Sequence, residues 1–258
     1  MVRGLDIFKK YFEKFSDKYV IIGGTACDII ISDAGLIPRA TKDIDIILVV
    51  EALSSDFVKQ FWKFIQDGNY EQKEKSEDER KYYRFMKPEN SEFPFQIELF
   101  SRNPDLPGID EQAHLTPIPV DDDLSSLSAI LLNDDYYHFM LEHSVMENGL
   151  NRAKTEALIC LKAKAYLEIT DRIAKGSKED SKQLRKHKND VFRMAVMLAE
   201  NDLFDVPESI KNDLQNFMDS VVSDKPGNEI FKEMGLPSSV KVESVFNQIL
   251  KNFGLNGK

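Results

Sequence analysis

Two hydrophobic periods run along this chain, and the change from one to the other falls near residue 150. Leu5, Phe8, Phe12 and Phe15 recur at helical spacing and predict an amphipathic helix over about residues 3–16. A four-residue apolar run, Tyr19–Ile22, reads as a strand, and Gly23-Gly24 reads as the turn after it. A helix is expected from Thr25 to about Ser32. Asp43–Val50 predicts a second strand, apolar on both faces beyond its first three residues. Ser54 or Ser55 can cap a helix whose core stripe is Phe57, Phe61, Phe64 and Ile65, stopped by Asp67-Gly68-Asn69. Strand-like pieces follow at Tyr70–Lys75, Lys81–Met86 and Phe95–Phe100, and the prolines of 102–120 predict loop. The short apolar pieces of 124–142 fit no element firmly. From Asn151 onward β-branched runs disappear, and Ala153–Ile173, Lys182–Glu200, Pro207–Val222 and Val240–Phe253 all carry helical periodicity. The expectation is an α+β protein: an N-terminal domain over 1–150 with a mixed, twisted sheet flanked by helices, and an all-helical domain over 151–258.

Chemistry enters at the ends of the strands. Side chains alternate along a strand, so Asp43 and Asp45 share a face with Ile44 on the other. Two carboxylates held together at the mouth of a buried strand repel one another unless a cation compensates them, and Mg2+, a hard ion that takes oxygen ligands, suits them. A lone Asp-x-Asp also fits a solvated strand end. Gly23-Gly24-Thr25, at a strand-to-helix turn, is either simple turn geometry or a phosphate cradle, since glycine admits close approach and a helix N-terminus offers free N–H groups. Glu98 interrupts the apolar run Gln96–Phe100 and shares a face with Gln96 and Phe100. It is either an outward-facing residue of an edge strand or a third acid that ligates a metal or takes a proton from an attacking hydroxyl.

Composition narrows the classes. A hydrophobic content of 42% with 17 Phe supports a substantial, partly aromatic core, and no apolar run approaches the roughly 20 residues of a membrane span. The only cysteines, Cys27 and Cys160, lie far apart, and the four histidines form no zinc pattern. A reduced, cytoplasmic protein is expected, with no membrane association and no signal peptide. The net charge of −10 argues against a wholly basic surface for nucleic acid, though not against a local patch.

Taken together, a glycine turn, an alternating aspartate pair and a single acid inside a later strand resemble the DNA polymerase beta-like nucleotidyltransferase superfamily. The runs Gly23-Gly24-Thr25-Ala26 and Arg39-Ala40-Thr41-Lys42-Asp43-Ile44-Asp45 are most similar to the AbiEii-type toxin nucleotidyltransferases. That resemblance implies an enzyme that transfers a nucleoside monophosphate from a nucleoside triphosphate to an acceptor hydroxyl. Asp43, Asp45 and Glu98 would be its catalytic acids and the ligands of two Mg2+ ions, with Mn2+ as a substitute. Gly23, Gly24, Thr25, Arg39 and Thr41 would bind the nucleotide. In the C-terminal part Lys162-Ala163-Lys164-Ala165 is similar to the family's Lys-x-x-Ala helix, so Lys162, or its neighbour Lys164, would hold a triphosphate oxygen. Asp190, expected at a helix start, would orient Lys162 or the nucleotide, or simply partner the helix dipole. The resemblance further implies an acceptor that is RNA (such as a tRNA end) or protein, and a cognate antitoxin as partner. A non-catalytic nucleotide-binding module, or an antibiotic-type transferase acting on a small molecule, are the alternatives.

One feature concerns the acceptor. Arg172, Lys175, Lys178, Lys182, Arg185, Lys186, His187 and Lys188 crowd between two expected helices. They read as a solvated loop, or as a phosphate-binding patch if the acceptor is RNA.

Overall fold

Strand formation starts where the apolar runs are densest. In the computed structural model, which describes residues 2–49, 52–71, 82–100, 130, 133–176 and 181–257, six strands form one mixed sheet. They are β1 (Tyr19–Ile22), β2 (Asp43–Leu48), β3 (Tyr82–Met86), β4 (Gln96–Phe100), β5 (Ser144–Glu147) and β6 (Leu150–Ala153), in the order β3-β4-β2-β1-β6-β5. β1 runs antiparallel to β2 and parallel to β6, and β2 runs parallel to β4. β3–β4 and β5–β6 are antiparallel pairs.

The helices are α1 (Leu5–Phe12), α2 (Gly23–Asp33), α3 (Ser55–Gly68), α4 (Asp134–Glu142), α5 (Thr155–Ala174), α6 (Ser181–Ala195), α7 (Glu208–Val221), α8 (Glu229–Glu233) and α9 (Val242–Asn252). The protein is thus α+β, as its patterning predicts. Its contacts group the chain into two compact units. The first comprises the described parts of 1–28, 40–121 and 144–153, and the second those of 29–39, 122–143 and 154–258.

The first unit holds the sheet. α1 and α3 bring Phe8, Phe12, Phe57, Phe61 and Phe64 together with Tyr19, Phe85 and Phe93, ring against ring. Each of these side chains is almost fully buried, and each contributes on the order of 1.5–3 kcal/mol by leaving water. The Ser54 hydroxyl caps α3 by accepting from Phe57 N at 3.3 Å. The first helix is shorter than its apolar stripe suggests, because a 3-10 segment, Glu13–Lys18, kinks at Phe15 before β1.

The second unit is helical. α5 is buried over most of its surface and packs on α4, α6 and α7, and α6 also meets α8 and α9. The helical stretch expected over Lys182–Glu200 is α6, so the basic run Lys182–Lys188 lies on that helix and not in a loop before it, and Asp190 is inside the helix rather than at its start. The reason is compositional: Lys, Gln, Leu and Arg are good helix formers, so a polar run before an apolar stripe simply lengthens the helix. The pieces within 124–142 include a helix, α4, whose first N–H groups are capped by Asn133 Oδ1. Residues 72–75, the loop of 102–120 and Lys178 lie outside the described residues.

Candidate active site

The acids come together in the first unit through strand register. Along β2, Asp43 and Asp45 are partly exposed while Ile44 and Ile46 are buried, so both carboxylates emerge on one face. In the parallel β2–β4 pair, Asp43 lies opposite Gln96 and Asp45 opposite Glu98. Directly opposed residues project from the same side of a sheet, so Glu98 joins the face of the aspartates.

Glu98 is only 5% exposed. Burial and the negative charges of Asp45 and Asp43 outweigh the opposing pull of Arg84 and raise its pKa from 4.5 to about 8. Its Oε1 accepts hydrogen bonds from Arg84 Nε, at 2.8 Å, and from Gln96 Nε2.

The glycine turn serves this cluster closely. α2 begins at Gly23, which takes φ +67°, and a Cβ at this position would stand 1.9 Å from Asp45 Oδ2. A side chain at 23 would therefore occupy the space of the Asp45 carboxylate. Gly24 is half-buried and is the second residue of the helix. Thr25 is fully buried, and its hydroxyl donates to the Asp43 carbonyl. Thr25 thus ties the first turn of α2 to the start of β2, a role in the backbone rather than at an exposed cradle. Thr41 lies half-buried in the irregular segment that leads into β2.

Among the described residues no three His, Cys, Asp or Glu side chains close into a ready metal cage. The donor chemistry still suits a hard divalent cation. Three carboxylates share one face, the glycine keeps space for one of them, and burial first, then the charges of Asp45 and Asp43, disfavour the ionised form of Glu98, a penalty that a bound cation would offset.

A second cluster forms inside the helical unit. Asp190, 4% exposed, accepts from Arg39 Nε at 3.3 Å and Arg39 Nη2 at 3.4 Å. Lys162 Nζ stands 3.3 Å and Arg193 Nη1 3.7 Å from the same carboxylate. Burial works to raise the Asp190 pKa, but the Lys162 and Arg39 cations outweigh it and hold this carboxyl below its ordinary range. Arg39 is delivered by a segment pinned through Ile37 N, which donates to the Met234 carbonyl at 3.0 Å. His187, one turn before Asp190 on α6, is kept neutral by burial and by Lys162, and its buried Nδ1 has no hydrogen-bond partner among the described residues.

Lys164 belongs to a different set: its Nζ lies 3.2 Å from both Asp213 and Glu168, and Asp213 also accepts from Tyr136. Within this unit the structure brings together Arg39, Lys162 and Asp190, while Lys164 is engaged elsewhere on α5.

Sequence reasoning gave no role to Arg84 or Arg193, named Gln96 only as sharing a face with Glu98, and read His187 only as part of a basic run. Gln96 carried a signal, since it precedes Glu98 by two and shares its face. Arg84 carried none, because its partner depends on the β3–β4 register.

Comparison with known proteins adds little to this geometry. No family model matches the chain. No curated protein matches it either. Among solved structures it is similar to an antigenic nucleotidyltransferase-like protein from Paracoccidioides brasiliensis, with 16% identity over 96% of this chain and 100% of that one, at a TM-score of 0.44.

Proposed function

We propose that the protein is a divalent-metal-dependent nucleotidyltransferase, similar to the AbiEii-type toxins, that moves a nucleoside monophosphate from a triphosphate to an acceptor hydroxyl. The observation that carries this reading is the placement of Asp43, Asp45 and Glu98 on one face of paired strands, against a glycine that admits no side chain. Asp43, Asp45 and Glu98 would hold Mg2+ or Mn2+, which supplies charge neutralisation for attack at the α-phosphate and departure of pyrophosphate. Gly23 leaves room for the Asp45 carboxylate, and Thr25 fixes Asp43 by its backbone. Gly24 and Thr41 belong to the same nucleotide-binding reading. In the helical unit Arg39 and Lys162 converge on Asp190, and a guanidinium and an ammonium held in place by one buried carboxylate are the side-chain types that grip phosphate oxygens.

The acceptor we favour is RNA, with tRNA the example the resemblance offers. α6 carries Lys182, Arg185 and Lys186 on residues that are exposed or half-exposed, with no acid before Asp190, in a chain of net charge −10. An enzyme that blocked the acceptor end of tRNA would stop translation, the action of a toxin restrained by a cognate antitoxin.

The test is incubation with each labelled triphosphate, Mg2+ and either total RNA or cell lysate. Label should enter RNA with the wild-type protein and be absent with Asp43→Ala at unchanged circular dichroism. Full transfer by Asp43→Ala would sink the mechanism, and label in a polypeptide would reassign the acceptor. Triphosphate binding without turnover or metal dependence would favour a non-catalytic module.

A further inference from the structure

The row of charges does not stop at the acids. Arg84 lies directly opposite Glu98 in the antiparallel β3–β4 pair, and Glu98 lies opposite Asp45, so one cationic and two acidic side chains occupy three adjacent strands in line. The Arg84 side chain is 17% exposed and reaches Glu98 Oε1 through Nε at 2.8 Å. Gln96 Nε2 donates to the same oxygen. Among the described residues no hydrogen-bond donor reaches Glu98 Oε2.

This differs from an ion pair built for stability alone. Arginine grips a carboxylate most strongly through two parallel bonds, one to each oxygen. Here two donors from two strands converge on one oxygen, which fixes the carboxylate and leaves the lone pairs of the other unclaimed. Arg84 also offsets part of the repulsion that would turn Glu98 away from Asp45 and Asp43. We infer that Arg84 and Gln96 are positioning residues that hold Glu98 by Oε1 and leave Oε2 to ligate the divalent cation shared with the aspartates. The inference rests on the cation reading of the three acids given above. Outer partners of this kind typically govern metal affinity about 10–100-fold.

The test is titration of the full-length protein with Mn2+, followed by loss of the free-ion signal in electron paramagnetic resonance. Arg84→Met should weaken Mn2+ binding about tenfold, and Arg84→Lys, which keeps the charge but not the planar Nε donor, should recover part of the loss. Gln96→Ala should weaken binding less than Arg84→Met, and it carries the test if Arg84→Met fails to fold. In a Glu98→Gln background Arg84→Met should cost nothing further, whereas a merely structural arginine would weaken binding in both backgrounds. Wild-type affinity in Gln96→Ala and Arg84→Met, or losses that multiply with Glu98→Gln, would overturn the clamp alone. A wild-type protein that binds no Mn2+ would overturn the cation reading along with it.

Discussion

At the scale of single residues, the Gly23–Asp45 contact gives the sharpest expectation. An alanine at Gly23 would pay about 1–2 kcal/mol for a left-handed backbone. Its methyl group would also displace the Asp45 carboxylate, whose Oδ2 fills the same space. Gly23→Ala should therefore lose nucleotidyl transfer far beyond its loss of stability. Gly35 has nearly the same φ, +72°, and nothing within 4 Å of such a Cβ. Gly35→Ala should show the backbone cost in urea denaturation and keep its activity. Glu98 gives a pH signature. Its folded pKa of about 8 lies above the ordinary 4.5, so the folded protein holds this proton more tightly than the unfolded chain. Stability should fall as pH rises through the interval between those values, and the penalty is complete above about 8. Glu98→Gln should flatten that slope and should be the more stable protein at the alkaline end, by on the order of a few kcal/mol. Urea denaturation across the interval, without divalent ions, reads it directly.

At the scale of elements, α6 bears the sharpest consequence. Asp190→Asn would leave Arg39, Lys162 and Arg193 facing one another without the buried counter-charge, at a cost of about 3–5 kcal/mol. Arg39→Met removes a cation that is 30% exposed and should cost about 1 kcal/mol or less. Urea denaturation should rank the two in that order. What can be read from residues alone follows the same division. Strict alternation around Asp43 and Asp45 makes the acidic face of β2 legible, and the Phe57–Phe61–Phe64 stripe makes α3 legible. The helical period over Lys182–Glu200 makes α6 legible, but not the burial of Lys188, Asp190 and Arg193 on it, since a run of charged residues reads as solvent-exposed until its partners are known. Asn148-Gly149, both at positive φ, is a strong two-residue hairpin signal between β5 and β6. That signal is muffled because the flanking Ser144–Glu147 and Leu150–Ala153 are short and half polar. The pairing of Arg84 with Glu98 is beyond reach, since it follows from which strand lies beside which.

At the scale of the whole molecule, ligand linkage offers a check that needs no acceptor. A triphosphate with Mg2+ at about 100 times its Kd should stabilise the folded protein by about 2.7 kcal/mol. That gain, seen as a rise in Tm, should vanish in Asp43→Ala. Strand order carries a different kind of consequence, one that concerns synthesis rather than chemistry. β1 pairs on one side with β2, close in sequence, but on the other with β6, where Ile21 meets Arg152. At about 5–20 residues per second the ribosome needs on the order of ten seconds to supply that second neighbour. Throughout that interval the wholly apolar Tyr19–Ile22 has one open flank, a template for pairing with any passing strand. A message broken between the codons for Ile22 and Leu150 would thus yield a polypeptide with a raw sheet edge, bound for aggregates or the cell's proteases.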